Sequence, residues 1–283
     1  MPRRHRVLPR DGVALVSTDL HGNLDDFLAL SQRFEQERAR CPETHWVQLG
    51  DLVHAPDDQA RSEQPALYDF PDGSMAIVDG FSALLAKHPE HVHFVLGNHD
   101  YAHLGGPHTS KFHPDEVTHL ESLLSTEQRE RMHRLFYGAL LAVVAPCGVL
   151  LCHGSPDETL RDIRLLDGIP LHQASTTRQQ RRLLQTVLCS YGQTDAVSRA
   201  MLAQVSQHGG WDLRLVIHGH DRDEAGFFVE GNHQLCPVLF GAPRHSKRFV
   251  RLDLAARYDD VRALRDGHEL LRLHDADHSV ADA

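Results

Sequence analysis

Lysine is almost missing from this chain of 283 residues: it occurs only at Lys87, Lys111 and Lys247, and arginine supplies the rest of the 29 basic side chains. That bias speaks of codon usage in a GC-rich genome rather than of function. Against 39 acidic residues it leaves a formal charge of −10. Such a balance excludes a protein that holds a nucleic-acid polymer or a membrane surface through a net basic field. The arginines between Arg178 and Arg182 read as a solvated helix face. No run of 18 apolar residues is present, so nothing reads as a membrane span. The basic residues 1–6 are not followed by a small-residue cleavage site, and the start is read as a mature terminus. C-x-x-C pairs are also missing: Cys41, Cys147, Cys152, Cys189 and Cys236 are scattered. They are expected to be buried free thiols in a reducing compartment, with the cytoplasm as the default location. Internal repeats and low-complexity linkers are absent, so residues 1–275 are expected to form a single domain, with 276–283 a frayed polar tail.

What is abundant is histidine, at 23 residues, and its placement follows a pattern. Short apolar runs at 13–18, 46–49 and 91–96 read as strands. Helices are expected after the first two, one capped by Asn23 and running to about Arg40, the other from about Ser74 to Lys87. Ser125 and Gln128 have capping-box spacing and open a further helix. Runs at 140–145 and 149–152 form a hairpin-like pair. Residues 174–208 are mostly helical, broken near Tyr191 and closed by Gly209 and Gly210. Strands are expected at 213–217, 226–230, 237–240, 248–254 and 269–273. The order β-α-β-α-β followed by strands predicts an α/β fold of two mixed β-sheets packed as a sandwich and flanked by helices.

Five of these strand candidates end in a residue type that binds metal, each beside a glycine: Asp19-x-His21-Gly22, Gly50-Asp51, Gly97-Asn98-His99, His153-Gly154 and His218-Gly219-His220. Carboxyl ends of strands are where loops converge on ligands in open α/β sheets. Taken singly, Asp-x-His-Gly marks no more than a strand-ending turn, Gly-Asp says almost nothing, and His153-Gly154 is ambiguous. Together they point to a dinuclear site. On an extended segment Asp19 and His21 would reach one cation from the same side, and Asp51 could bridge two. Asn98, His153 and His220 could complete the second site. Mixed N and O donors suit Mn, Fe or Zn. Two cations roughly 3.5–4 Å apart clamp a phosphoryl group for in-line displacement.

In this ordered set the chain resembles the calcineurin-like metallophosphoesterase superfamily, whose pattern is D-x-H, G-D, G-N-H-[DE], H and a final G-H-x-H or G-H. The match runs from Asp19 to His220. Residues 239–245 are similar to the S-A-P-N-Y segment of its phosphoprotein-phosphatase branch, and His153-Gly154-Ser155-Pro156 to the branch's H-G-G-x-S-P. The resemblance implies that Asp19, His21 and Asp51 hold one metal, and Asp51, Asn98, His153 and His220 the other. It implies His99 as general acid and direct attack by a metal-bridging hydroxide. The implied substrate is a phosphorylated protein or a small phosphoester. A nucleotide or dinucleoside-polyphosphate hydrolase is the alternative, and a binding or regulatory protein without turnover the alternative from another class.

Three departures stand out. Where the branch reads G-D-x-V-D-R-G, this chain has Gly50-Asp51-Leu52-Val53-His54-Ala55-Pro56. His54 replaces the aspartate that orients the catalytic histidine, with Asp57, Asp58 and Asp100 as candidate substitutes. Ala55 replaces the arginine that binds phosphate, with Arg161, Arg164 and Arg244 as candidates. At the last motif Arg222 stands where the G-H-x-H form has histidine; His220 is expected as the ligand and His218 as a near-site residue. The loops 54–72 and 101–113 are expected to wall the pocket.

Overall fold

The computed structural model describes residues 3–172 and 175–274; the predicted C-terminal tail lies outside them. Three parallel strands, β2 (Val13–Thr18), β3 (Thr44–Leu49) and β4 (Val92–Val95), form one side of a five-stranded sheet. It is completed by β10 (Arg248–Asp253), antiparallel to β2, and by β11 (Leu270–Arg272) at the edge. The second sheet has six strands in the order β1 (His5–Val7), β5 (Ala142–Ala145), β6 (Val149–Leu151), β7 (Leu215–Ile217), β9 (Gln234–Pro237) and β8 (Phe227–Glu230). Within it β6 and β7 run parallel. Both sheets are mixed, as the element order predicts.

Strands covered on two faces should be apolar throughout, and all six residues of β2 are buried. One face of each sheet meets the other sheet. Val16, Val47, Leu49 and Val95 pack there with Val143, Leu151 and Ile217. The outer face of the five-stranded sheet presents Leu15, Trp46 and Phe94 to α1 (Leu24–Arg40) and α4 (Ser74–Lys87), which contribute Phe27, Phe34, Ile77 and Phe81. The outer face of the six-stranded sheet carries α8 (Arg178–Cys189) and α9 (Asp195–Gly209). Asn23 caps α1 by accepting from the Asp26 N–H at 3.1 Å. The Ser125–Gln128 box opens α7 (Thr126–Tyr137), and left-handed Gly210 closes α9.

The structure departs from the sequence reading in short elements. The segments expected as loops contain α2 (Asp58–Glu63), α3 (Pro65–Tyr68) and α5 (Asn98–Ala102). A further helix, α6 (Glu116–Leu123), precedes α7. Helices of one or two turns carry too little apolar periodicity to register. The strand expected at 237–240 is displaced to Gln234–Pro237. All five cysteines are free, three of them buried, and no helix among the described residues is long and apolar enough to cross a membrane.

Candidate metal centre and catalytic pocket

Parallel pairing of β2, β3 and β4, and of β6 and β7, brings five carboxyl ends to one place. The backbone there is held in an uncommon conformation. Asp19, His21, Asp51, His54 and His220 are the only non-glycine residues with positive φ among those described, at 42–72°. Left-handed backbone is costly for such residues and persists where the surroundings over-determine it. This corrects the expected geometry at Asp19 and His21: a left-handed turn, rather than an extended segment, aims both side chains inward. Two glycines permit the crossing of the β3 and β4 ends. A Cβ on Gly97 would stand 2.2 Å from Asp51 Oδ1, and one on Gly50 would stand 2.4 Å from the Gly97 Cα. The buried Asp100 clips these ends together, accepting from the N–H groups of Asp51 (2.8 Å), Leu52 (3.0 Å) and Gly97 (3.0 Å).

Asp51 sits at the centre. Its Oδ2 lies 3.5 Å from His21 Nε2 and 3.4 Å from His153 Nε2, while Oδ1 accepts from the His99 N–H at 3.0 Å. Ligand atoms of His21, Asp51 and His99 lie within 4.8 Å of one another, and so do those of Asp51, His153 and His220. Asp51 is therefore shared between two groups. Asp19 Oδ1 is 3.7 Å from His21 Nε2, and Asn98 Oδ1 is 3.0 Å from His153 Nε2. His21 donates from Nδ1 to the Val53 carbonyl at 3.1 Å, and His153 from Nδ1 to the Leu49 carbonyl at 2.7 Å. A backbone acceptor on one nitrogen fixes the tautomer and leaves Nε2 free for a cation, the usual arrangement behind metal-binding histidines.

The electrostatics of the group call for positive charge. Burial pushes the Asp19 carboxyl up to about 6. Burial likewise works against the Asp51 charge, but His153 and His99 outweigh it and hold that carboxyl well below its usual range. His153 is buried, which alone would lower it, yet the Asp51 carboxylate lifts it to about 10. That proton supplies locally what a cation would supply. With oxygen and imidazole donors and no thiolate, the residues present fit two hard-to-borderline cations. His218 is not brought into either group: its Nδ1 donates to the Gly219 carbonyl at 2.8 Å and the ring is fully buried.

A cavity of about 380 Å³ opens over this centre, lined by Asp19, His21, Asp51, Asn98, His99, His220 and the 108–111 loop, with Tyr191, Arg222 and Phe240 opposite. Two cations reach it. Lys111 Nζ stands 4.0 Å from the centroid of the Phe240 ring and the Arg222 guanidinium 5.6 Å from it. Burial, then the nearby Arg222, lowers the Lys111 ammonium to about 7. The arginines expected to bind phosphate are elsewhere. Arg164 is exposed and engaged with Asp162, Arg244 pairs with Asp25 at 3.8 Å, and neither they nor Arg161 line the cavity. Of the two loops expected to wall it, 101–113 does. The segment 54–72 instead lines a neighbouring cavity of about 460 Å³ backed by His54 and Glu116.

The surroundings of His99 also differ from expectation. Asp57 caps α2, Asp58 is exposed, and Asp100 is committed to backbone amides. The carboxylate beside His99 is Glu116, 1% exposed, whose Oε2 has no hydrogen-bond partner and lies 3.5 Å from His99 Nδ1. It starts α6, 17 residues beyond His99, and only its position ahead of a short apolar helix could have marked it. His54 meets the same nitrogen of His99 and continues to His103 and Glu121. Burial holds His99 down at about 4 and His54 at about 2.

The sequence matches the family described as calcineurin-like phosphoesterase over residues 13–224. The chain belongs to that family, and is thus a metallophosphoesterase, a hydrolase of phosphoric esters. Its fold is similar to that of a protein serine/threonine phosphatase from Saccharomyces cerevisiae with similarity to human phosphatase PP5. Identity there is 16%, coverage 92% of this chain and 81% of that one, and the TM-score 0.62. It is also similar to a cold-active protein-tyrosine phosphatase of a psychrophilic Shewanella species: 13% identity, 90% and 78% coverage, TM-score 0.54. No curated protein sequence matches the chain.

Proposed function

We propose that this protein is a dinuclear-metal-dependent phosphomonoesterase of the protein-phosphatase type, with phosphoserine or phosphothreonine in proteins as its leading substrate class. The observation that carries this reading is Asp51, shared by two ligand groups on the floor of a pocket that also holds His99, Lys111 and Arg222. Asp19, His21 and Asp51 would hold one cation, and Asp51, Asn98, His153 and His220 the other, from among manganese, iron and zinc. Two bound cations supply Lewis acidity toward the phosphoryl group and the attacking water. Lys111 and Arg222 bind the peripheral phosphoryl oxygens in place of the arginine that Ala55 lacks. With Nδ1 of His99 engaged by His54, Nε2 is the nitrogen that would take up the second proton of a protonated ring and give it to the leaving oxygen. The similarity of fold to a serine/threonine phosphatase supports the substrate class.

One observation favours a second reading, hydrolysis of nucleotides or dinucleoside polyphosphates. Tyr191 is 61% exposed at the pocket mouth, its ring 4.3 Å from that of His220, and offers a surface on which a base could stack. The test is hydrolysis of p-nitrophenyl phosphate by manganese-loaded wild type and Asp51→Asn, followed by kcat/KM on phosphopeptides and on dinucleoside polyphosphates. Metal-dependent turnover that disappears in the variant, with phosphopeptides preferred, supports the proposal. Preference for dinucleotides moves the protein to the second reading. Failure on every substrate leaves a binding protein on this fold.

A further inference from the structure

A second group of side chains of metal-binding type lies at the opposite end of β3 and β4 from the first. Ligand atoms of Glu43, His45 and His91 all lie within 4.8 Å of one another. Glu43 immediately precedes β3, His45 is the second residue of that strand, and His91 immediately precedes β4. All three therefore stand at the amino-terminal ends of the strands whose carboxyl ends carry the catalytic ligands. His45 and Asp51 are six positions apart, about 20 Å at the rise of a strand. Alternation along β3 places His45 on the side of Val47 and Leu49, facing the space between the two sheets.

The two imidazoles are incompletely satisfied. His45 is 5% exposed, yet its Nε2 has no hydrogen-bond partner, and Nδ1 of His91 is likewise buried without one. Buried ring nitrogens normally find a partner. Here two of them belong to rings whose centroids are 5.0 Å apart, beside one carboxylate. The other nitrogen of His45 is already engaged: Nδ1 lies 3.1 Å from Nε2 of His93. Arg6, a cation near the group, is engaged in an ion pair with Glu90.

We propose that Glu43, His45 and His91 form a binding site for a divalent cation of borderline softness, zinc foremost, separate from the catalytic centre. Two imidazoles and one carboxylate are a donor set that zinc accepts, with water completing its coordination. The cation ties the start of β3 to the start of β4, and its role is structural. This inference does not depend on the substrate or on turnover.

The test is equilibrium dialysis against zinc with metal content read by plasma emission, comparing wild type with Glu43→Gln and His91→Ala. Wild type is expected to bind one equivalent more than either variant, or to bind that equivalent at least roughly ten-fold more tightly. Zinc should also raise the melting temperature of wild type more than that of the variants. Hydrolysis of p-nitrophenyl phosphate should be the same in all three. Equal stoichiometry and affinity in wild type and both variants would overturn the proposal. Glu43 is exposed, so Glu43→Gln keeps the test decisive should His91→Ala fold poorly.

Discussion

Nδ1 of His54 lies 2.8 Å from Nδ1 of His99, so one of the two rings donates and the other accepts. The direction is set at the far end of the chain they begin. Glu121 only accepts, from His103 Nδ1 at 2.8 Å. Neutral His103 then accepts at Nε2 from His54 Nε2, 2.9 Å away, and His54 accepts at Nδ1 from His99. A surface-facing carboxylate thus holds the tautomer of His99 through two neutral imidazoles. The negative charges that favour a protonated His99 come from Asp51 and, after it, from Glu116.

Glu116→Gln should lower kcat for a poor leaving group such as phenolate by roughly ten-fold, part of the ~10²–10⁴ that a positioned acid contributes. For p-nitrophenolate, which leaves without protonation, the loss should be much smaller. A merely structural role for Glu116 would reduce turnover of phenyl phosphate and p-nitrophenyl phosphate alike, so the ratio of the two kcat values decides.

Removing the shared carboxylate should cost more than removing a peripheral one. Asp51→Asn is expected to lose both metals and nearly all turnover, because both ligand groups include it. Asp19→Asn should lose about one equivalent and keep residual activity. Metal content of the purified proteins checks this, and equal losses would mean that Asp51 does not bridge.

Lys111→Ala and Arg222→Ala should each raise KM for a phosphoester, and weaken inhibition by inorganic phosphate, more than they lower kcat. Each removes a charge that lines the pocket and, on the proposed reading, would face the phosphoryl oxygens in substrate and transition state alike. Arg164→Ala, a surface change paired with Asp162, should leave both constants unaltered. If phosphate inhibition survives in the Lys111 and Arg222 variants, the oxyanion is held by other groups.

Hydrogen bonds from His103 and His133 hold the Glu121 carboxyl down at about 2. A depressed carboxyl contributes stability above its unfolded pKa, about 4.3, and loses it as the pH falls toward the folded value. His103 acts in the same direction: burial lowers its pKa, so the unfolded chain takes the proton first as the pH drops. In metal-stripped protein the urea midpoint of wild type should fall more steeply between about pH 4.5 and 2.5 than that of Glu121→Gln. Parallel curves would show that this carboxylate is not coupled to folding.

The sequence alone was enough to name the candidate ligand residues and the strands that carry them. Asp19, His21, Asp51, Asn98, His153 and His220 sit directly after apolar runs, and glycine beside a strand end is a local signal. Helix ends at Asn23, Ser125 and Gly210 were legible for the same reason, since capping chemistry is contained within a few residues. The partners of these residues were not legible. Glu116 reaches His99 because the start of α6 is folded back beside His54, and Lys111 and Arg222 meet over Phe240 from loops 111 residues apart in number. Nothing near Arg164 or Arg244 in sequence excluded them, because which cation faces a pocket depends on how loops cross. The left-handed turn at Asp19 and His21 was hidden as well: local sterics disfavour it, and only the assembled strand ends hold it in place. Residue chemistry and local spacing therefore determined what the site is made of, and long-range packing decided what surrounds it.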